Sequence, residues 1–213
     1  MKKLLFIAIS FIFIYPAQAQ YDTKALETLE AMSKKYKSIN AFEASISYTL
    51  TNDVDNINEE FKGKITVKGD KYRLALPEQE VINNGTTLWT YLPDVKEVNI
   101  DTYDSSSGDI NPSNIYDIYK KGFKYLYLKD ESEGGTLCEV IDLVPEKKDA
   151  QYFKIRMNIA KKDKSIKSFT MFDKGGNRYK YTITRFDSNV TVEDSFFSFD
   201  PKKHPGVEVI DLR

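Results

Sequence analysis

The stretch "FKGKITVKGDKYRLAL", residues 61–76, alternates apolar and polar side chains with a period of two. This period is typical of β-strands that bury one face and leave the other in water. Gly69-Asp70 interrupts the pattern and Pro77 ends it, so two strands joined by a tight turn are predicted. Their apolar side chains share one face: Phe61, Ile65, Val67, Tyr72, Leu74 and Leu76.

The stretch "NGTTLWTYLPD", residues 84–94, carries the only tryptophan of the chain between two turn signals. Asn84-Gly85 predicts a hairpin, because both central positions of a type I′ turn need positive φ. Pro93-Asp94 predicts a second turn at the other end. We expect Trp89 and Tyr91 on the same apolar face as the preceding strands. The alternative inner set is Leu88, Thr90 and Leu92.

Strand patterns recur along most of the remaining chain, with turn signals at Gly134-Gly135, Lys162-Asp163 and Gly175-Gly176. Successive hairpins favour one antiparallel sheet, and a sheet of this length tends to curl on itself. The predicted fold is therefore mainly β (α+β). It is a curled antiparallel sheet forming an incomplete β-barrel of roughly eleven strands, covered by a lid of amphipathic helices.

Two amphipathic helices are predicted as that lid. Residues 22–36 have apolar side chains at three- and four-residue spacing, and Asp22 or Thr23 can cap the helix. Asn111-Pro112 predicts the start of a shorter helix that ends at Gly122, since proline is favoured at the first helical position and glycine just beyond the last. The apolar stripes of the two helices are Leu26, Leu29, Met32, Ile115, Ile118 and Tyr119.

The N-terminal residues are typical of a secretory signal peptide. Lys2 and Lys3 precede an apolar core at residues 4–15, and Ala17-Gln18-Ala19 is a small-residue cleavage site. We expect cleavage after Ala19 and a single domain over residues 20–213. No cysteine lies at the cleavage point, so no lipid anchor is expected there.

Composition argues against several classes of function. The chain has 31 basic and 32 acidic side chains, so no basic face for nucleic acid is implied. Cys138 is the only cysteine and His204 the only histidine, which excludes the usual zinc sets and any internal disulfide. Cys138 is expected to be a small core residue, and His204 an exposed residue near the C-terminus.

Catalytic patterns are equally scarce. No glycine-rich phosphate loop follows a strand, and the carboxylates of Asp53, Asp55, Glu59 and Glu60 are expected to be solvated in a loop. A carboxylate pair acting on a sugar stays open, because the distance between two carboxylates in space is not visible in a sequence. We expect no enzyme activity, no metal and no cofactor.

A curled sheet with an apolar inner face is either a container or an ordinary core, and the residues alone favour neither. A container would suit lipid, since burying a methylene is worth about 0.8 kcal/mol and a sixteen-carbon chain about 12 kcal/mol. The expected cargo contacts are then Phe61, Ile65, Val67, Tyr72, Leu74, Leu76, Trp89 and Tyr91, with the lid stripes above them.

Four segments in their order resemble the outer-membrane lipoprotein carrier proteins, the LolA family. They are "AFEASISYTL" (41–50), "GKITVKGDKYRLAL" (63–76), "EVINNGTTLWTYLPDVKEV" (80–98) and "SFFSFDPKKHPGVEVIDLR" (195–213). The resemblance implies a periplasmic chaperone whose incomplete barrel is closed by a helical lid. It implies acylated lipoproteins as cargo, received from an inner-membrane ABC-transporter complex and passed to an outer-membrane acceptor.

One departure from the family pattern concerns how the lid is held. Many members have an arginine before a proline that holds the lid by hydrogen bonds to helix backbone. Gly69-Asp70 occupies that place here. Arg73 is expected to point outward, and Lys68 lacks the fork of donors of an arginine.

Two functions of different classes follow from these observations. The first is a monomeric lipoprotein carrier. The second is a periplasmic sensor or scaffold of the same fold, which binds lipid or a protein partner without shuttling. Because such a sensor usually has a second domain or a membrane anchor, the sequence favours the carrier.

Overall fold

The computed structural model describes residues 22–104 and 110–213. One α-helix, twelve strands and three short 3-10 turns are formed within these ranges. The helix and strands are α1 (Thr23–Lys37), β1 (Ala41–Asn52), β2 (Ile57–Lys68), β3 (Lys71–Ala75), β4 (Glu80–Asn83), β5 (Thr87–Leu92), β6 (Glu97–Thr102), β7 (Phe123–Glu133), β8 (Thr136–Pro145), β9 (Tyr152–Ala160), β10 (Ile166–Asp173), β11 (Arg178–Asp187) and β12 (Glu208–Asp211).

All twelve strands form one open, curled sheet in the order β12-β6-β5-β4-β3-β2-β1-β11-β10-β9-β8-β7. Two antiparallel meanders, β1–β6 and β7–β11, join where β1 pairs with β11. The predicted fold class is therefore confirmed. Strand β12 is the exception to the antiparallel rule, because it lies parallel to β6 at one edge of the sheet.

The main hydrophobic core lies on the concave face of the sheet, called here the inner face, and contains the apolar side of α1. Leu29 and Met32 of α1 are fully buried, as are Ile155 and Met157 of β9. A second, smaller cluster lies on the outer face of β4–β6. There the C-terminal segment covers Ile82 and Val98 with Phe199.

The second predicted helix is not an α-helix. Residues 112–117 form a series of turns, followed by one 3-10 turn at Ile118–Lys120. The side chain of Asn111 accepts hydrogen bonds from the backbone N–H and hydroxyl of Ser113, and Asn114 accepts one from the N–H of Asn111. These local bonds replace the helical ladder. Residues 110–122 are called the lid segment below.

The predicted signal peptide, residues 1–19, lies outside the described residues, and its cleavage site stays a prediction. Over residues 22–104 and 110–213, none of the helices has the length and apolar character that a membrane crossing requires.

Candidate functional site

A cavity of about 260 Å³ lies between the inner face of the sheet, the end of α1 and the lid segment. Strands from both meanders form its floor. The lid segment closes it from above with Ile110, Asn111, Pro112, Ile115 and Tyr116. The remaining lining residues are Tyr36, Phe42, Ala44, Ile46, Ile65, Tyr72, Leu74, Val81, Ile166, Phe169, Met171, Tyr181 and Ile183.

The cavity wall is apolar and electrically neutral. None of the described lining residues is an acid or a base of the Asp, Glu, Lys, Arg or His type. Burial raises the pKa of the lining phenols of Tyr36, Tyr72 and Tyr181 to about 12, so all three stay protonated near neutral pH. Such a wall accepts hydrocarbon and offers little to a charged ligand.

A row of aromatic rings continues the inner face beyond the cavity. Phe169 stacks on Tyr181 with ring centroids 4.7 Å apart, and Tyr181 lies 4.9 Å from Tyr48. Tyr48 then stacks on Phe61 at 6.0 Å. The row crosses β10, β11, β1 and β2 in turn, and its outer members are only half-buried. The floor of the cavity therefore opens onto a partly exposed apolar track.

Four of the residues predicted from sequence line the cavity, namely Ile65, Tyr72, Leu74 and Ile115. Phe61 lies in the ring row, while Leu76 and Leu26 pack at the border of the main core. Five others are buried core residues that do not line the cavity: Val67, Leu29, Met32, Ile118 and Tyr119.

The predicted inner position of Trp89 and Tyr91 was wrong. Trp89 pairs with Ile82 of β4 and Tyr91 pairs with Val98 of β6, so both side chains share the outer face with these residues. Both rings pack against the second cluster. The alternative set, Leu88, Thr90 and Leu92, lies on the inner face of β5, and Leu88 packs against the main core.

His204 is not an exposed tail residue either. Its ring stacks on Phe199 at 4.5 Å and lies 4.6 Å from the ring of Tyr91. Cys138 is fully buried, as predicted for a small core residue. Among the residues described, no group of three or more His, Cys, Asp or Glu side chains is arranged to hold a metal ion.

Most of the cavity wall was not predicted, because the predicted sheet contacts all lie on or next to β2, β3 and β5. The same period-two signal is present in β1, β10 and β11, which supply eight of the twelve strand residues that line the cavity. The missed residues are Tyr36, Phe42, Ala44, Ile46, Val81, Ile110, Asn111, Pro112, Tyr116, Ile166, Phe169, Met171, Tyr181 and Ile183.

Helix α1 is fastened to the sheet at both ends. At its N-terminus, the carboxylate of Asp22 accepts from the N–H groups of Lys24 and Ala25 and also from that of Tyr127 in β7, at 2.9, 3.1 and 3.2 Å. At its C-terminus, the Tyr36 hydroxyl accepts a 3.1 Å bond from the N–H of Ile166. The C-terminal end of the helix, where Tyr36 lines the cavity, is thus held to the sheet.

An ion pair at this end of α1 joins Lys35 to Asp163 in the turn between β9 and β10. The Nζ of Lys35 lies 2.6 Å from Oδ2 of Asp163. Burial opposes ionisation of Asp163, but the bonds from Lys35 and Ser165 outweigh it and lower its pKa to about 2. Lys35 therefore has an ionised partner on the sheet.

Asp117 of the lid segment contacts residues of α1 and also a residue of the lid segment itself. Its carboxylate accepts from the hydroxyl of Ser33 at 2.5 Å, from Lys37 at 2.5 Å and from Lys120 at 2.9 Å. Burial opposes ionisation of Asp117, but the hydrogen bonds from Lys37, Ser33 and Lys120 prevail and lower its pKa. Next to it, the rings of Tyr36 and Tyr116 stack at 5.5 Å.

Comparison with known sequences gives the family. The sequence model of the family described as "Outer membrane lipoprotein carrier protein LolA" matches residues 37–200. The chain belongs to the LolA family. An outer-membrane lipoprotein carrier protein of Yersinia pestis bv. Antiqua (strain Angola) is 26% identical over 196 residues, which are 85% of this chain and 87% of that protein.

Further similar proteins agree with this family and fold. The outer-membrane lipoprotein carrier protein of Serratia proteamaculans (strain 568) is 24% identical over 201 residues, covering 88% of this chain and 89% of its own. The crystal structure of an uncharacterized conserved protein from Thermus thermophilus superposes with a TM-score of 0.59 at 12% identity. It covers 89% of this chain and 99% of that one, and it supports the fold alone.

The place of the LolA-family arginine is a tight turn in this chain, and Gly69 there has a φ of 57°. Two cations near this turn, Arg73 and Lys68, are engaged away from the lid. Arg73 forms a bidentate pair with Glu80 and donates to the carbonyl of Phe196 on the outer face, as predicted for an outward residue. Lys68 donates to the carbonyl of Val192 and pairs with Asp194.

Proposed function

We propose that this protein binds the acyl chains of lipoproteins in its cavity and carries them through the periplasm from the inner to the outer membrane. The observation that carries the proposal is the neutral, apolar cavity under a lid. Membership of the LolA family and the names of the Yersinia and Serratia relatives support it. Carriage requires no covalent chemistry on this chain, and no catalytic residue is assigned.

The size of the cavity bears on how a long acyl chain could enter it. Its volume of about 260 Å³ lies below the range of roughly 300–1,000 Å³ typical of small-molecule sites. A long acyl chain therefore enters only when the lid segment moves outward. The ring row from Phe169 to Phe61 then offers apolar surface to the part of the chain that the cavity does not hold.

The residues proposed to contact the acyl chain are those with side chains on the cavity wall. Those among them that the sequence predicts are Ile65, Tyr72, Leu74 and Ile115, with Phe61 at the far end of the ring row. An inner-membrane ABC-transporter complex as donor and an outer-membrane acceptor are proposed from the family alone.

The first experiment identifies the cargo. The mature protein is purified from the cell envelope under native conditions, and co-purifying molecules are identified by mass spectrometry. Acylated lipoproteins are the expected result, and depletion of the protein should leave lipoproteins at the inner membrane. A stable partner without acyl chains would instead favour the sensor or scaffold, and normal lipoprotein sorting after depletion would contradict the carrier.

The second experiment separates the cavity from the core. Ile115→Thr places a hydroxyl on the cavity wall, whereas Ile118→Thr places one in the core beside it. Because a buried hydroxyl without a partner disfavours hydrocarbon, we expect Ile115→Thr to reduce lipoprotein recovery about three- to tenfold. Ile118→Thr should lower thermal stability by at least as much but keep recovery. Equal losses of recovery in the two variants would favour a purely structural role.

A further inference from the structure

We propose that the lid of this protein is fastened by an ion cluster around Asp117, and that opening this cluster admits the cargo. The cluster, called here the Asp117 clasp, consists of Ser33 and Lys37 of α1 and Asp117 and Lys120 of the lid segment. The clasp itself stands on geometry, while its consequence for cargo rests on the proposed function.

The position of the clasp gives it this role. The lid segment starts near β6, where the side-chain amide of Asn111 donates a 2.8 Å bond to the hydroxyl of Tyr103. Helix α1 is fastened instead to β7, through Asp22, and to the start of β10, through Tyr36. Asp117 therefore joins α1 to a lid segment that crosses the open sheet from the end of β6 to the start of β7 at Phe123. Separating them opens the roof of the cavity without moving α1.

The clasp consists of several contacts that together hold the lid segment closed, and each contact is weak enough to break when the lid segment moves. One carboxylate accepts from three side chains, and Lys120 also lies 3.3 Å from the hydroxyl of Ser33. The side chains of Lys37 and Lys120 are half exposed, at 52% and 47%, whereas that of Asp117 is 21% exposed. Ion pairs with such exposed lysines are screened by salt. The clasp should therefore loosen as ionic strength rises.

Apolar packing beside the clasp has no such dependence. The stacked rings of Tyr36 and Tyr116 and the buried side chain of Ile115 also hold the lid segment down. Burial of these groups is not weakened by moderate concentrations of sodium chloride. Salt sensitivity of the lid therefore reports on the clasp specifically.

The test measures backbone hydrogen exchange in the full mature chain without cargo, at low and at high sodium chloride concentration. We expect Asp117→Asn to speed exchange in residues 110–122 about three- to tenfold at low salt, since it removes the ionic part of three hydrogen bonds. Wild-type exchange in the same residues should rise with salt, and the variant should show little further rise.

The matched control is Asp163→Asn, which removes an ion pair of similar length between α1 and the sheet but touches no part of the lid segment. It should leave exchange in residues 110–122 and its salt dependence unchanged. The clasp is wrong if Asp117→Asn has no effect there, or if it speeds exchange equally in β8 and β9, which would mean a global loss of stability.

A second measurement connects the clasp to cargo. The binding rate of a fluorescent palmitate analogue should rise with Asp117→Asn and remain at the wild-type value with Asp163→Asn. If the analogue does not bind any of the three proteins while exchange behaves as expected, the clasp stands and the proposed function fails. If the analogue binds all three at one rate, the clasp does not control access to the cavity.

Discussion

Gly63 shows how tightly single residues are fixed on the inner face. An added Cβ would lie 2.6 Å from Cδ2 of Leu76 and 2.8 Å from the carbonyl oxygen of Ala75. The first of these atoms can move with its side chain, but the second belongs to the backbone of β3. Glycine is therefore required for β2 and β3 to pair at this point while Leu76 covers the strand.

Gly63→Ala should lower the free energy of unfolding by about 1–3 kcal/mol, because the crowded Cβ forces the two strands to shift. The matched control is Gly175→Ala in the turn between β10 and β11, where the nearest atom to an added Cβ is a carboxylate oxygen at 3.4 Å. Its effect should stay within about 0.5 kcal/mol. Urea denaturation measures both, and equal losses would contradict the steric account.

Individual side chains were predictable in part, and the limit has a physical origin. Alternation along a strand tells which residues share a face, so the grouping of Ile65 with Val67 and of Trp89 with Tyr91 was right. It does not tell which face of a strand is inner. In β5, the C-terminal segment determines which face is the outer one. Its Phe199, more than a hundred residues later in the sequence, packs in the cluster on that face.

Among the elements, α1 combines a helix cap with a tertiary contact in one residue. Asp22 accepts from two N–H groups of the first turn and from the N–H of Tyr127 on the edge strand β7. That third bond satisfies a backbone group at the sheet edge that the sheet itself leaves unpaired. The start of the helix and the edge of the sheet are therefore stabilised together.

Asp22→Ala should lower the free energy of unfolding by about 1–2 kcal/mol, at the upper part of the range for a cap, since both helix and sheet lose an acceptor. Asp200→Ala removes a cap from the 3-10 turn at Pro201–Lys203, where Asp200 accepts only from the N–H of Lys202 within its own segment. A loss below about 0.5 kcal/mol is expected there. Thermal unfolding compares the two, and a larger loss for Asp200→Ala would contradict the double role of Asp22.

The elements differ in how far their sequences determined them. The apolar spacing of α1 and a single cap residue were enough to predict it, because these signals are local. The lid segment has similar spacing at Ile115, Ile118 and Tyr119, yet it forms turns. The side chains of Asn111 and Asn114 accept hydrogen bonds from backbone N–H groups close to them in sequence, and these bonds compete with a helix. A segment this short forms too few helical hydrogen bonds to offset that competition. The contacts of Asp117 could not be predicted from the sequence, because its partners on α1 lie about eighty residues earlier.

For the whole molecule, the dependence of stability on pH follows from buried tyrosines in a neutral interior and from paired carboxylates on the surface. Burial raises the pKa of Tyr36, Tyr72 and Tyr181 from 10.0 to about 12, so folding favours their protonated forms. Their contribution is complete below about pH 10 and is lost as the pH rises towards 12. On the acid side, the pKa of Asp163 is lowered from 3.8 to about 2, so its contribution is lost as the pH falls through that interval.

The free energy of unfolding should therefore be nearly constant between about pH 5 and 9 and fall on both sides. A tenfold change in proton affinity corresponds to about 1.4 kcal/mol, so the alkaline loss by pH 12 is on the order of a few kcal/mol. Urea denaturation across the pH range measures it, and phenolate absorbance follows the titration. Tyr181→Phe should reduce the alkaline loss. Titration of every tyrosine near pH 10 in the folded protein would contradict the burial of these phenols.

The molecule has two apolar regions on opposite faces of one sheet, and Trp89 reports on only one of them. It packs in the second cluster with Ile82 and Phe199, separated from the cavity by the sheet itself.

Phe199→Ala should shift the fluorescence emission of Trp89 to longer wavelength, because water reaches the indole. Saturation with a palmitate analogue should leave the emission of the wild type nearly unchanged. A Trp89→Phe, Tyr116→Trp variant, with its indole on the cavity wall, is the matched control and should respond strongly to the same ligand. A response of the wild type as large as that of the control would mean that Trp89 meets the ligand and that the inner face of β5 has been assigned to the wrong side.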